Sequence, residues 1–123
     1  MISGHVNDSL EGIVRLSVLD SGGREHAIEA VVDTGFSGSL TLPSALVLAL
    51  GLSWRTRASV ILANGDQDLC DVYDGSISWN GLTRSILIEE AETEPLLGMA
   101  LLRGYELRLQ AVPGGSLLIA LIP

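Results

Sequence analysis

Residues 31–42 read VVDTGFSGSLTL, an Asp-Thr-Gly triplet set between two apolar stretches. The apolar residues before the triplet are typical of a buried strand, and those that follow Ser37 return the chain to the core. The Thr-Gly pair turns the chain sharply behind Asp33. The pattern predicts a carboxylate that is held rigidly at the floor of a cleft.

Asp33 needs a partner if it is to take part in hydrolysis. One group must take a proton from water while another gives a proton to the carbonyl oxygen. Two neighbouring carboxylates do both, because like charges in one site prevent both groups from ionising. No second aspartate has surroundings like those of Asp33. The others that we considered lie in predicted turns or in the middle of a predicted hairpin: Asp20, Asp66, Asp68, Asp71 and Asp74. We therefore expect the partner to be Asp33 of a second copy, across a two-fold axis.

The composition favours one domain that associates with itself. The chain has 123 residues, so residues 1–123 are expected to form a single domain. Hydrophobic residues make up 47% of it, yet no apolar run approaches the ~20 residues that span a bilayer. The N-terminus shows no pattern of a signal peptide. Excess apolar surface without a membrane segment favours an oligomer, and no membrane partner is expected.

Charge and cysteine content exclude other classes of partner. The formal net charge is −8, from 15 acidic and 7 basic residues, and the scattered arginines argue against a nucleic-acid partner. Cys70 is the only cysteine, which excludes an intrachain disulfide and a cysteine-based metal site. His5 and His26 lack the spacing of metal ligands. We expect no metal, no organic cofactor and a reducing cytoplasm.

Strand signals dominate the rest of the chain. Alternating residues bounded by turn residues predict paired strands, and the Asn-Gly pairs at 64–65 and 80–81 are strong hairpin signals. The predicted strands occupy 11–19, 24–32, 58–63, 67–73, 75–79, 82–90, 105–109 and 116–122. Pro43 and Gly51 bracket a short predicted helix over 44–50.

Three segments have further expectations attached to them. The acidic residues 89–94 are expected to form a solvated connection, and the apolar residues 99–104 a turn or short helix. The last strand, 116–122, pairs either within its own subunit or with a second subunit. The chain is thus expected to be all-β with one or two short helices, closer to a barrel or sandwich than to alternating strands and helices.

Three segments in this order resemble the retropepsin-type aspartic proteases, the single-lobe homodimeric class that includes retroviral proteases and bacterial relatives. Residues 31–38 resemble the catalytic loop of that family. Residues 58–73 resemble its flap, a hairpin that closes over bound peptide. Residues 95–104 resemble its C-terminal segment, an apolar pair followed by Gly98 and a short helix. The resemblance implies a retropepsin-like acid protease barrel.

The resemblance also implies roles for residues of the first and third segments. Asp33 is similar to the catalytic aspartate, and Thr34 to the residue that braces the two loops across the dimer axis. Gly35 corresponds to a position where the backbone approaches substrate. Gly98 corresponds to a close approach behind the catalytic loop. Ser37 either bonds the loop backbone or orients the Asp33 carboxylate.

Substrate contacts are implied for the loop and for the flap tip. Phe36 stands where small residues are usual in retroviral members, so it either narrows the cleft or forms part of a subsite. In the flap, the tip residues Ala63, Asn64 and Gly65 are the expected substrate contacts. The tip has fewer glycines than a retroviral flap.

The function that the resemblance implies is an aspartic endopeptidase. It would act as a homodimer on a peptide or protein, through a water held between two Asp33 carboxylates. One alternative is a catalytically weak or inactive module of the same fold that serves peptide binding or assembly. Another is a monomeric β-barrel in which the Asp-Thr-Gly triplet is only a turn.

Overall fold

The protein is built mainly from strands. A computed structural model describes residues 1–61 and 64–123. The elements in chain order are β1 (Ile2–Val6), β2 (Gly12–Leu19), β3 (Glu25–Val32), β4 (Leu40–Leu42), α1 (Ser44–Leu50), β5 (Ser53–Ile61), β6 (Gln67–Trp79), β7 (Leu82–Glu90), β8 (Leu96–Leu97), α2 (Met99–Leu102), β9 (Tyr105–Leu109) and β10 (Ser116–Leu121). Strands account for 56% of the residues and helices for 9%. The prediction of an all-β protein with short helices is confirmed.

The strands form one strongly curved sheet. Their order is β5-β6-β7-β4-β8-β3-β2-β1-β10-β9, with a further antiparallel pairing between β6 and β2. In that pairing Ser17 lies opposite Ser78 and Val18 opposite Ile77. Because β2 and β6 are distant in the strand order, their contact rolls the sheet around a common core.

Side chains alternate between the core and the outside along the strands, as a period of two requires. In β2, Val14, Leu16 and Val18 are buried, and the residues between them are more exposed. The core also receives the buried side chains Leu40, Leu42, Ile77, Ile88, Leu97, Leu101, Leu117 and Ile119. This core lies directly behind the segment that begins at Asp33.

The predicted hairpin of β2 and β3 and the predicted helix over 44–50 are both confirmed. Pro43 precedes α1 in an extended conformation, and Gly51 ends it in the left-handed conformation at φ 65°. Glycine suits that position because it has no Cβ to clash. Among the described residues, no helix has the length and apolar character needed to cross a membrane.

The strands differ from the predicted ones at several places. β1 was not predicted, and β5 begins at Ser53 rather than at residue 58. β6 runs without interruption through Asp74 and Gly75, so the two predicted hairpins share one long strand. The last strand, β10, pairs with β1 and β9 of its own chain.

Residues 89 and 90 fall in both the predicted strand 82–90 and the predicted solvated connection 89–94. The strand is confirmed for them, because β7 spans Leu82–Glu90, and the connection is wrong for these two residues. Glu89 and Glu90 lie opposite Thr41 and Leu42 of β4 in a parallel pairing, and both glutamates are half-buried. The pairing with β4 is a long-range contact that local composition does not encode.

Candidate active site

Asp33 is fixed at the end of β3 by a strand from far along the chain. β8 pairs in parallel with β3 and antiparallel with β4, so it lies between the two strands that flank the Asp-Thr-Gly segment. The backbone N–H of Asp33 donates to the carbonyl oxygen of Leu97 at 2.9 Å. The backbone of Asp33 is therefore held by the sheet even though it follows the last residue of β3.

Residues 33–38, which we call the Asp33 loop, form a tight turn around the aspartate. The N–H of Gly35 donates to the Asp33 carboxylate oxygen Oδ1 at 2.9 Å. The N–H of Phe36 donates to the Asp33 carbonyl oxygen at 3.1 Å. Within residues 1–61 and 64–123, the second carboxylate oxygen, Oδ2, has no hydrogen-bond partner. One oxygen is thus fixed by the loop backbone, and the other has no hydrogen-bond donor among the described residues.

Gly98 supports the Asp33 loop from behind. The N–H groups of Met99 and Ala100 donate to the carbonyl oxygens of Phe36 and Gly38 at 2.8 and 3.1 Å. A Cβ at Gly98 would collide with the Gly38 carbonyl oxygen and would lie 2.7 Å from the Phe36 carbonyl oxygen. Only glycine allows the segment to approach the loop this closely.

The other predicted residues of the loop differ in exposure. Thr34, Gly35 and Ser37 are exposed, and Phe36 is half-buried. In the described part of the chain, the hydroxyls of Thr34 and Ser37 bond neither the loop backbone nor the Asp33 carboxylate. The proposed role of Thr34 across a dimer axis and both proposed roles of Ser37 stay predictions.

The β5–β6 hairpin is the segment predicted to act as a flap. At its tip the Asn64 side-chain oxygen accepts from the N–H of Asp66 at 3.0 Å, and Gly65 has a φ of +87°. Both tip residues are exposed. Ala63, the third predicted contact, lies outside the described residues. The substrate contacts of Asn64 and Gly65 stay predictions.

A cavity connects the end of the Asp33 loop with the base of this hairpin. It has a volume of about 780 Å³ and is lined on one side by Gly38 and Ser39 and on the other by residues of β5, β6 and β7. Arg55 and Asp74 form an ion pair of 3.0 Å at its wall.

Glu89 lines the same cavity and was missed as a site residue. Ile86 and Ile88 of β7 are buried in the core. Glu89 lies on the opposite face of the strand from Ile88, and this is the face that lines the cavity. Burial raises the pKa of the Glu89 carboxyl above its usual value. The alternation of residues 82–90, which were predicted as a strand, is the signal for this placement.

Glu11 is a second acidic residue that the sequence alone did not indicate. Ile13 lies opposite Val31 in the β2–β3 register, and a Cβ at Gly12 would lie 3.9 Å from Cβ of Val32. Glu11 precedes Gly12 and Asp33 follows Val32, so the two residues lie at the same end of the β2–β3 hairpin. The Glu11 carboxylate accepts from the Asn7 side-chain amide at 3.0 Å.

The site of one chain can hold a water by Asp33 and use the carboxylate as a general base. A second proton donor is required for hydrolysis. A scan against protein-family models, a search of curated proteins and a search of solved structures each found no match. The proposed function therefore rests on the residues of the site and their geometry.

Proposed function

We propose that the protein is an aspartic endopeptidase of the retropepsin type, active as a homodimer. The observation that supports this most strongly is the placement of Asp33. The N–H of Asp33 donates to the Leu97 carbonyl oxygen, and Oδ1 of Asp33 accepts from the N–H of Gly35. Oδ2 has no hydrogen-bond donor among the described residues. A carboxylate needed only to close a turn does not require a buried strand inserted behind it.

The proposed mechanism uses two copies of Asp33 that share one water. Because two adjacent carboxylates do not both ionise, one is a carboxylate and the other a carboxylic acid. The ionised Asp33 takes a proton from the water as it attacks the peptide carbonyl carbon. The protonated Asp33 donates a hydrogen bond to the carbonyl oxygen, where negative charge develops. The Asp33 that took the water proton then gives it to the amide nitrogen as the C–N bond breaks, so that the amine leaves, the acyl half becomes a carboxylic acid and the carboxylate is regenerated.

The proposed substrate is an extended peptide of a protein or a free peptide. The long β5–β6 hairpin and the cavity beside Gly38 together make a surface against which an extended chain can add as a strand. Asn64 and Gly65, at the exposed tip of the hairpin, would contact the bound peptide. The half-buried, unpaired Cys70 fits a reducing compartment, and we propose the cytoplasm.

A binding or assembly module of the same fold is the second candidate. In that case the groove holds a peptide without cleaving it. A monomeric barrel in which Asp33 only closes a turn is the third candidate.

Cleavage of a peptide library at acidic to neutral pH tests the proposal. Wild type should cleave, and Asp33→Asn should abolish cleavage while leaving the fold and the dimer intact. Glu94→Gln, which makes the same chemical change on an exposed connection, should cleave like wild type. Glu11→Gln distinguishes the partner of Asp33: a monomer that loses cleavage on this change would have an intramolecular pair instead of a dimer. No cleavage by wild type would contradict the proposal and favour the binding module.

A further inference from the structure

Leu10 adopts a backbone conformation that leucine avoids. Its φ is +61°, and it is one of two residues other than glycine with positive φ in the described part of the chain. A bulky side chain in this left-handed region is strained. Strain of this kind costs of order 1–3 kcal/mol and concentrates at functional surfaces. The Leu10 side chain is nevertheless 61% exposed, so packing within its own chain does not explain it.

The turn between β1 and β2 forces this conformation through its backbone and one side chain. The Asn7 side-chain oxygen accepts from the N–H groups of Ser9 and Glu11 at 3.1 and 2.9 Å. The N–H of Leu10 donates to the Asn7 carbonyl oxygen at 3.0 Å. None of these bonds uses the Leu10 side chain. Asparagine or glycine would occupy the position with less strain.

This turn lies beside the Asp33 loop. β2 starts and β3 ends at the same end of their hairpin, where Gly12 faces Val32. The turn between β9 and β10 meets the same end, since the N–H of Val6 donates to the Gly115 carbonyl oxygen at 2.9 Å. Leu10 and Asp33 therefore belong to one face of the molecule.

Further exposed apolar side chains border this face. Met99, beside Phe36, is 48% exposed, and Leu109, which a Cβ at Gly12 would approach within 3.2 Å, is 47% exposed. Val112, in the turn after β9, is 56% exposed. We call Leu10, Met99, Leu109 and Val112 the apolar rim of Asp33. A group of exposed apolar side chains on one face of a protein marks a protein–protein interaction site.

We propose that the apolar rim is the surface on which a second copy of this chain docks, with Leu10 as its anchor. This inference rests on the proposed function, because Asp33 lacks a second Asp33 in a single chain. A two-fold axis through the face would bring both Asp33 loops together and pair each rim with its own copy. The strained Leu10 is then retained for contact across the interface and not for the turn.

Leu10→Asn separates these two roles. The substitution removes the apolar side chain and suits the left-handed conformation. The isolated chain should therefore unfold at the same or a higher urea concentration, while the dimer dissociation constant, measured by sedimentation, rises about tenfold or more. Leu10→Gly also suits the left-handed turn, so it should show the same stability and the same rise in the dissociation constant. It replaces Leu10→Asn in the test if the asparagine variant fails to fold. Leu48→Asn makes the same change at a leucine on α1 that is 82% exposed, and it should leave the dissociation constant unchanged.

Several outcomes would overturn the inference or the proposed function separately. A Leu10→Asn chain that dimerises as tightly as wild type would overturn the docking surface, even if wild type cleaves peptides. Wild-type protein that stays monomeric at every concentration would also overturn the docking surface. So would wild-type protein whose apolar rim binds substrate peptide and no second copy. A wild type that dimerises through Leu10 and cleaves nothing would support the surface and overturn the endopeptidase.

Discussion

Asp33 owes its position to a residue in a distant part of the chain, Gly98. The absence of a side chain at Gly98 lets two backbone segments touch, and their hydrogen bonds hold the Asp33 loop. Because this contact is made through backbone atoms, the loop cannot move away from an added methyl group without losing these hydrogen bonds.

Gly98→Ala should therefore destabilise the protein. A Cβ at this position meets backbone oxygen atoms of Phe36 and Gly38, and overpacking of this kind costs about 1–3 kcal/mol. Gly22→Ala is a matched control, since its Cβ would meet only a side-chain oxygen of Asp20, at 3.3 Å, on an exposed turn. Urea unfolding measures both variants. Equal free energies of unfolding would show that the close approach at Gly98 is unimportant.

At the residue scale, the sequence predicted what local chemistry determines. Asp33 was identified from a triplet between two apolar stretches, and its place at a strand end follows from the same pattern. Glu11 and Glu89 were missed. The place of each depends on a register with a partner strand, β3 or β4, that a local pattern does not specify.

At the element scale, the Arg84 side chain of β7 connects the sheet with α2. The Arg84 guanidinium donates to the carbonyl oxygens of Leu101 and Ala100 at 3.0 and 3.2 Å. These carbonyls lie in the last turn of a short helix and have no partner within it. Arg84 thereby fixes the helix that follows Gly98.

Arg84→Met should cost about 1–3 kcal/mol of stability, because two carbonyl oxygens lose a charged donor. Arg108→Met is the control, since Arg108 forms only an exposed pair with Glu106, and such pairs contribute about 0–1 kcal/mol. Thermal unfolding of both variants gives the comparison. A loss that is no larger for Arg84→Met would contradict a structural role for the guanidinium.

Burial of Glu89 in β7 predicts a dependence of stability on pH. Since burial raises the pKa of this carboxyl, the folded protein holds the proton more tightly than the unfolded chain does. The contribution of Glu89 to stability is therefore fully present below the usual glutamate pKa and is lost as pH rises through the raised pKa. Glutamine resembles the protonated form at every pH.

Glu89→Gln should be more stable than wild type at neutral pH, and the difference should shrink as pH falls below the usual glutamate pKa. Urea unfolding across this range measures it, with Glu94→Gln as a control for the same change on an exposed connection. A Glu89→Gln variant that is less stable than wild type at neutral pH would mean that the charged carboxylate has a stabilising partner.

Elements were predicted best where their signals are local. Pro43 and Gly51 placed α1 at its observed bounds because capping depends on neighbouring residues. The two-residue strand β8 was not predicted as a strand, because its extended conformation depends on pairing with β3 on one side and β4 on the other. The continuity of β6 was missed because Asp74 and Gly75 are typical turn residues.

At the scale of the whole molecule, the class of fold was predictable and the strand order was not. Period-two patterns and turn residues suffice for an all-β protein. The insertion of β8 and the pairing of β10 with β1 join the C-terminal part of the chain to its beginning and middle. Such contacts depend on how all strands pack together.

Net charge predicts how association responds to salt. Each chain has a formal charge of −8, so two copies repel each other as they approach. Salt shortens the screening length from roughly 10 Å at 0.1 M to roughly 3 Å at 1 M. The dimer dissociation constant should therefore fall as sodium chloride is added, which sedimentation at several concentrations measures. A dissociation constant that rises with salt would point to an interface held by ion pairs, contrary to an apolar rim.

The central claim is that one active site requires Asp33 from two chains. Mixing a fixed amount of wild type with increasing Asp33→Asn protein, and allowing subunits to exchange, tests it directly by peptide cleavage. Random exchange leaves about one tenth of the wild-type chains paired with each other at a tenfold excess of variant. The cleavage rate should fall to about that fraction, provided that total protein exceeds the dissociation constant. A rate that is unchanged by the added variant would contradict the shared site.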